Sequence, residues 1–212
     1  MDEHTFDVSV TMFLDNLASD SPAPGGGGAA ALSGAMAAAL VSMVCQLTIG
    51  KARYEDVEAE MRDTLDRAEA LRHELQQLAE ADVSAFNRLA ASYKLPRTTD
   101  ADIAIRRDAI QTSLRGATGV PLRTARAAAA ILPLCPAVAE RGNQNAVSDV
   151  GVAALLAQAA VRAALLNVDI NLRALEDRIY VRQVRAEVER LMDGIQSETE
   201  RVIELVNSKI RI

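Results

Sequence analysis

This sequence predicts an all-α chain folded as a single domain, and three observations carry that prediction. Apolar residues recur at spacings of three and four through most of the chain, the period of one helix face. No run alternates Val, Ile, Thr or aromatic residues with polar ones, and no Asn-Gly pair marks a hairpin. No stretch is rich enough in Pro, Gly or Ser to act as a linker, so residues 1–212 read as one bundle of long helices. Half of the residues are hydrophobic, which excludes intrinsic disorder and suffices for a sizeable core.

Residues 9–18 make a short opening helix with Met12, Phe13 and Leu17 on one side. Residues 19–28 form a loop that delivers the chain to an alanine-rich helix over 29–49. After Gly50 a long charged helix spans 53–93, closed by Pro96. Residues 100–117 form a further helix, and Pro121 suits the first turn of the next, where its missing N–H costs nothing. Pro133 and Pro136 kink or end that helix. Residues 141–145 are a loop, Ser148 a cap, and residues 150–175 a second apolar helix. The last helix, 176–209, carries Val184, Val188, Leu191, Ile195, Val202 and Leu205 near heptad spacing, as core or dimer seam.

The two alanine-rich helices are apolar nearly all round and must be surrounded by protein. In the first, Ala30, Gly34, Ala38 and Ser42 recur every fourth residue, a seam of small side chains that admits a close neighbour. Two such helices in a chain of this size predict a homodimer. Residues 29–49 are long enough to span a bilayer. Ser33, Gly34, Ser42, Gln46 and Thr48 interrupt them, however, and no Trp or Tyr flanks their N-terminal side. Residues 1–7 are acidic rather than basic, unlike a secretory signal. The expectation is a cytoplasmic protein without a membrane span. The formal charge of −6 argues against a nucleic-acid partner. Two cysteines, Cys45 and Cys135, and two histidines, His4 and His73, are too few for a disulfide scaffold or a metal centre.

Three places stand out chemically. Ser21, Pro22, Ala23 and Pro24 lead into Gly25, Gly26, Gly27 and Gly28 at a helix start, where backbone N–H groups are unpaired. Four glycines fit the close approach of a ligand or another backbone; the alternative is a flexible connector. Asp82 interrupts the apolar stripe of Leu71, Leu75, Leu78, Phe86 and Leu89. A carboxyl group buried there has its pKa raised and serves as acid or base, or else pairs structurally with another helix. Asn143 and Asn145 precede Ser148 and Asp149 at the second apolar helix, as amides for a heterocycle's edge or as simple capping. Asn167 and Asn171, one turn apart, read as interhelical hydrogen bonds. Lys51 and Arg53 beside Tyr54 read alone as an exposed junction.

The segments SPAPGGGGAAALSGAMAAALVSMVCQLTIGKARY, ADVSAFNRLAASYKLP and ERGNQNAVSDVGVAALLAQAAVRAALLNVDINL, in this order, resemble the cyclodeaminase/cyclohydrolase family of folate enzymes. The resemblance implies an all-helical dimer with a folate site near the subunit interface and no cofactor beyond the folate substrate. It implies hydrolysis of 5,10-methenyltetrahydrofolate to 10-formyltetrahydrofolate, or closure of 5-formiminotetrahydrofolate with loss of ammonia. The stretch GGGGAAALSGAMAAALVSMVCQLTIGK is nearer the stand-alone cyclohydrolase type. By the same resemblance Asp82 is the acid/base residue, residues 21–28 and 143–149 face substrate, and Lys51 and Arg53 meet the glutamate carboxylates. A helical protein that binds folate or a partner without turnover is the alternative from another class.

Overall fold

The computed structural model describes residues 8–210, and among them eight α-helices succeed one another with no strand. His4 and the acidic start of the chain lie outside the described residues. α1 (Val10–Leu17) starts at Ser9, whose hydroxyl accepts from the Met12 N–H as an N-cap. α2 (Gly26–Thr48) begins inside the glycine run, three residues earlier than expected, so three of the four glycines are helical. A 3₁₀ stretch (Ala52–Val57) then turns the chain into α3 (Glu58–Tyr93), where a single long helix from residue 53 was expected.

α4 (Asp100–Ala129) opens with a reciprocal capping box between Thr99 and Asp102. It runs straight through Pro121, which therefore does not start a new helix. The reason is local: the carbonyl that Pro121 cannot serve, that of Ala117, takes the Asn171 side-chain nitrogen at 2.8 Å instead. Pro133 and Pro136 end the helical run, giving a 3₁₀ turn (Leu132–Leu134) and the short α5 (Cys135–Arg141). A third 3₁₀ segment (Gln144–Ala146) precedes α6 (Val147–Ala174). Ser148 is not its cap, because the helix starts one residue earlier and no side chain caps it. The expected last helix is two, α7 (Arg178–Met192) and α8 (Ile195–Ile210). Gly194, at φ +82, supplies the left-handed residue that breaks them.

α2 is the axis of the bundle, packed against α3, α4 and α6. Its small-residue seam is buried throughout. At Gly34 an added Cβ would lie 3.1 Å from the Leu75 methyls and 3.4 Å from the Ala128 Cβ, so α3 and α4 both close on this seam. Among the described residues three segments are long and apolar enough to cross a membrane by length and composition, namely Gly26–Thr48, Asp100–Arg141 and Gln144–Ala174. In the bundle half or more of each apolar window is buried against other helices. Around this core, Arg107 and Arg115 of α4 bind Glu176 and Asp177, and Arg141 binds Glu60 at 2.7 Å. Cys45 and Cys135 are free and buried, and burial pushes both thiols up to about 12.

Candidate active site

At the N-terminal end of α2 a cleft of about 300 Å³ opens between α2, α3, α4 and α6. The incoming loop shapes one wall. The Ser21 hydroxyl donates to the Ala23 carbonyl at 2.7 Å, the Ala23–Pro24 peptide is cis, and Pro24 is buried. Pro22, Ala23, Gly25, Gly26 and Gly27 line the cleft from this side.

α3 supplies the floor. Asp82, Ala85, Phe86 and Leu89 share one helix face and all line the cleft. Phe86 was expected in the core but is 38% exposed, because its ring borders the opening rather than the α2 seam. Asp82 packs directly on the helix start: a Cβ added to Gly27 would sit 2.3 Å from Oδ1 and 2.4 Å from Oδ2. Only a residue without a side chain leaves room for the carboxylate there. Desolvation raises the Asp82 pKa above its usual 3.8, against the opposing pull of the Gly28 N–H on the charged form. The group is half-buried, hydrogen-bonded and facing a cleft, which is what a general base or acid requires.

α6 and α4 complete the cleft with Asn167, Ile170, Asn171 and Ala117. The Asn167 Nδ2 donates to the Ala163 carbonyl of its own helix at 3.0 Å, and Asn171 bridges to α4. Asn171 thus makes the expected interhelical bond, Asn167 does not, and neither was expected to line a site. The signal that was missed is Pro121, whose position four residues after Ala117 announces a carbonyl in need of a donor.

The remaining candidates stand elsewhere. Lys51, Arg53, Asn143, Asn145, Ser148 and Asp149 lie at the opposite end of α2, whose 23 residues put about 33 Å between its ends. Asn143 is buried and fully engaged. Its Nδ2 donates to the Leu47 carbonyl at 2.9 Å, its Oδ1 accepts from the Asn145 N–H, and its N–H donates to the Thr48 hydroxyl at 2.9 Å. The Asn143 amide thus ties α2 to the loop before α6, whereas the Asn145 side chain is exposed. Ser148 is exposed, and Asp149 lies in the first turn of α6, where the helix dipole favours an acid. Lys51 and Arg53 are exposed, with the Arg53 guanidinium 5.5 Å from the Tyr54 ring centre. Within one subunit these groups do not meet Asp82. Among the described residues no cluster of three His, Cys, Asp or Glu has the arrangement of a metal site.

Comparison with known proteins gives a consistent picture. Residues 9–190 match the family model described as formiminotransferase-cyclodeaminase. A methenyltetrahydrofolate cyclohydrolase of Methylorubrum extorquens is 46% identical over 202 residues, covering 95% of this chain and 97% of that protein. A formimidoyltransferase-cyclodeaminase of Rattus norvegicus is 32% identical over 95% of this chain but only 37% of its own length. The crystal structure of a formiminotetrahydrofolate cyclodeaminase from Thermotoga maritima superposes with a TM-score of 0.84 at 32% identity, covering 95% of this chain and 97% of that one.

Proposed function

This chain belongs to the formiminotransferase-cyclodeaminase family, and from that premise we propose that it hydrolyses 5,10-methenyltetrahydrofolate to 10-formyltetrahydrofolate. The observation that carries the reading is the Asp82 carboxyl, held at the rim of a helix N-terminus in a cleft and tuned upward by burial. Hydrolysis takes precedence over deamination because the relative that matches this chain end to end at the higher identity bears the cyclohydrolase name. Ring closure of 5-formiminotetrahydrofolate with release of ammonia is the second reading, favoured by the likeness to the Thermotoga maritima cyclodeaminase.

The substrate carbon lies in a cationic amidinium between N5 and N10. Its positive charge beside Asp82 favours the carboxylate form, offsetting the desolvation that raises the pKa. The carboxylate takes a proton from water as the new C–O bond forms. Asp82 then returns that proton to N5 as the C–N5 bond breaks and its electron pair passes to nitrogen. The remaining hydroxyl proton leaves to solvent as the formyl C=O forms. One water is consumed and one proton released. The scheme asks only for the carboxyl group and water, with the folate as substrate and no further cofactor.

A homodimer fits this reading. Val152, Leu155, Leu166 and Ile170 leave an apolar stripe on α6, with Leu166 71% exposed, and Met36 and Leu47 do the same on α2. Antiparallel pairing over these faces brings the far end of one α2 to the cleft of the other subunit. Lys51 and Arg53 would there meet the glutamate carboxylates of the bound folate. We place the enzyme in the cytoplasm, in keeping with its two free thiols.

The test follows the near-ultraviolet absorbance of 5,10-methenyltetrahydrofolate, with spontaneous hydrolysis subtracted. Decay faster than background supports the hydrolase. The same absorbance appearing from 5-formiminotetrahydrofolate, without accelerated decay, makes the protein a cyclodeaminase. Neither change leaves a binding protein.

A further inference from the structure

Pro121 stands in the interior of a 30-residue helix, the place where proline is most costly. Its ring removes the N–H that would otherwise serve the carbonyl of Ala117. Ala117 lines the cleft, and its carbonyl accepts from the Asn171 Nδ2 at 2.8 Å. The amide is thereby oriented, because the reverse flip would set oxygen against oxygen. With its nitrogen committed to a backbone carbonyl, Asn171 keeps its Oδ1 as the amide atom with no donor among the described residues. Asn167 repeats the pattern one turn earlier, its nitrogen spent on the Ala163 carbonyl. Two oriented amide oxygens therefore add acceptor sites to a cleft whose Asp82 carboxylate is reserved for the chemistry. A ligand edge rich in N–H groups complements such a set, and the aminopyrimidinone ring of a folate carries both an amino group and ring N–H groups.

We infer that Pro121 is a positioning residue for ligand recognition: by withholding an N–H from the Ala117 carbonyl it fixes Asn171, whose Oδ1 accepts from the N–H edge of the folate ring. The inference rests on the cleft being the folate site, and it is independent of which folate reaction takes place there. A merely structural proline would show its effect in stability alone.

The two roles separate in a cycle of Asn171→Ala, Pro121→Ala and the double variant. Calorimetric binding is measured with 5-formyltetrahydrofolate, alongside the melting temperature of each protein. Asn171→Ala is expected to weaken binding about tenfold, the loss of one hydrogen bond, and to lower Tm by leaving the Ala117 carbonyl unpaired. Pro121→Ala restores an N–H for that carbonyl, so it weakens binding severalfold while Tm holds or rises. The double variant recovers Tm, since its backbone repairs itself, yet binds no better than Asn171→Ala. The inference is overturned if Pro121→Ala binds like wild type, if the two losses multiply in the double variant, or if affinity recovers along with Tm. It is equally overturned if wild type does not bind the ligand. Wild type that binds but leaves 5,10-methenyltetrahydrofolate unhydrolysed refutes the proposed reaction and leaves this inference standing.

Discussion

The two ends of α2 are built from the same vocabulary of glycine, asparagine and a close backbone approach, and they do opposite things. At the Thr48 end the buried polar groups are spent. The Thr48 hydroxyl donates to the Val44 carbonyl and accepts from the Asn143 N–H, Asn143 uses both ends of its amide, and the Gln144 N–H reaches the Tyr54 hydroxyl. Gly142 is needed there because a Cβ would fall 2.5 Å from the Val138 carbonyl oxygen. At the Gly26 end the polar groups are only half spent. Asp82 is desolvated with a single opposing backbone N–H, and Asn167 and Asn171 hold oxygens in reserve over an open cleft. Residue type does not separate scaffold from site; the unspent hydrogen-bonding capacity does.

That contrast is broken most sharply by substituting glycine at the cleft. Gly27→Ala forces the Asp82 carboxylate aside and is expected to cut kcat/KM about a hundredfold, measured as background-corrected loss of 5,10-methenyltetrahydrofolate absorbance. Replacing both Lys51 and Arg53 by Ala is expected to raise KM about tenfold for polyglutamylated folate and much less for the monoglutamate, with kcat unchanged; titrating both substrates checks it. Thr48→Val probes the scaffold end. It strips the buried acceptor from the Asn143 N–H and is expected to cost about 1–3 kcal/mol in urea unfolding while kcat stays within twofold of wild type.

The smallest effect is a pH dependence of stability. Because the folded pKa of Asp82 lies above 3.8, the folded state holds that proton more tightly than the unfolded chain does. The group therefore costs nothing below pH 3.8, and its cost grows as pH rises through the folded pKa. Asp82→Asn is thus expected to melt at or above wild type near neutrality, with the gap closing toward acid, as thermal melts across pH would record.

Much of this architecture was legible in the sequence. The 3.6-residue period gave the helices, the Ala30–Gly34–Ala38–Ser42 spacing gave the buried seam, and the break in an apolar stripe singled out Asp82. Pro121 misled because propensity rules see a lost hydrogen bond, whereas the fold supplies a replacement donor from 50 residues later. Gly194 was passed over because heptad spacing continues across it, and only a left-handed φ reveals the break. That the Asn143 amide is engaged was not legible in the local sequence. Whether an amide is free depends on partners such as Leu47 and Thr48, nearly a hundred residues away.

The account stands on Asp82 as the group that handles the proton. Its most direct test is the background-corrected turnover of 5,10-methenyltetrahydrofolate by Asp82→Asn, with the melting temperature of the same preparation. A rate loss of at least about a hundredfold with Tm held or raised is the predicted result. Turnover within tenfold of wild type in a folded Asp82→Asn protein would contradict it and move the chemistry away from the glycine end of α2.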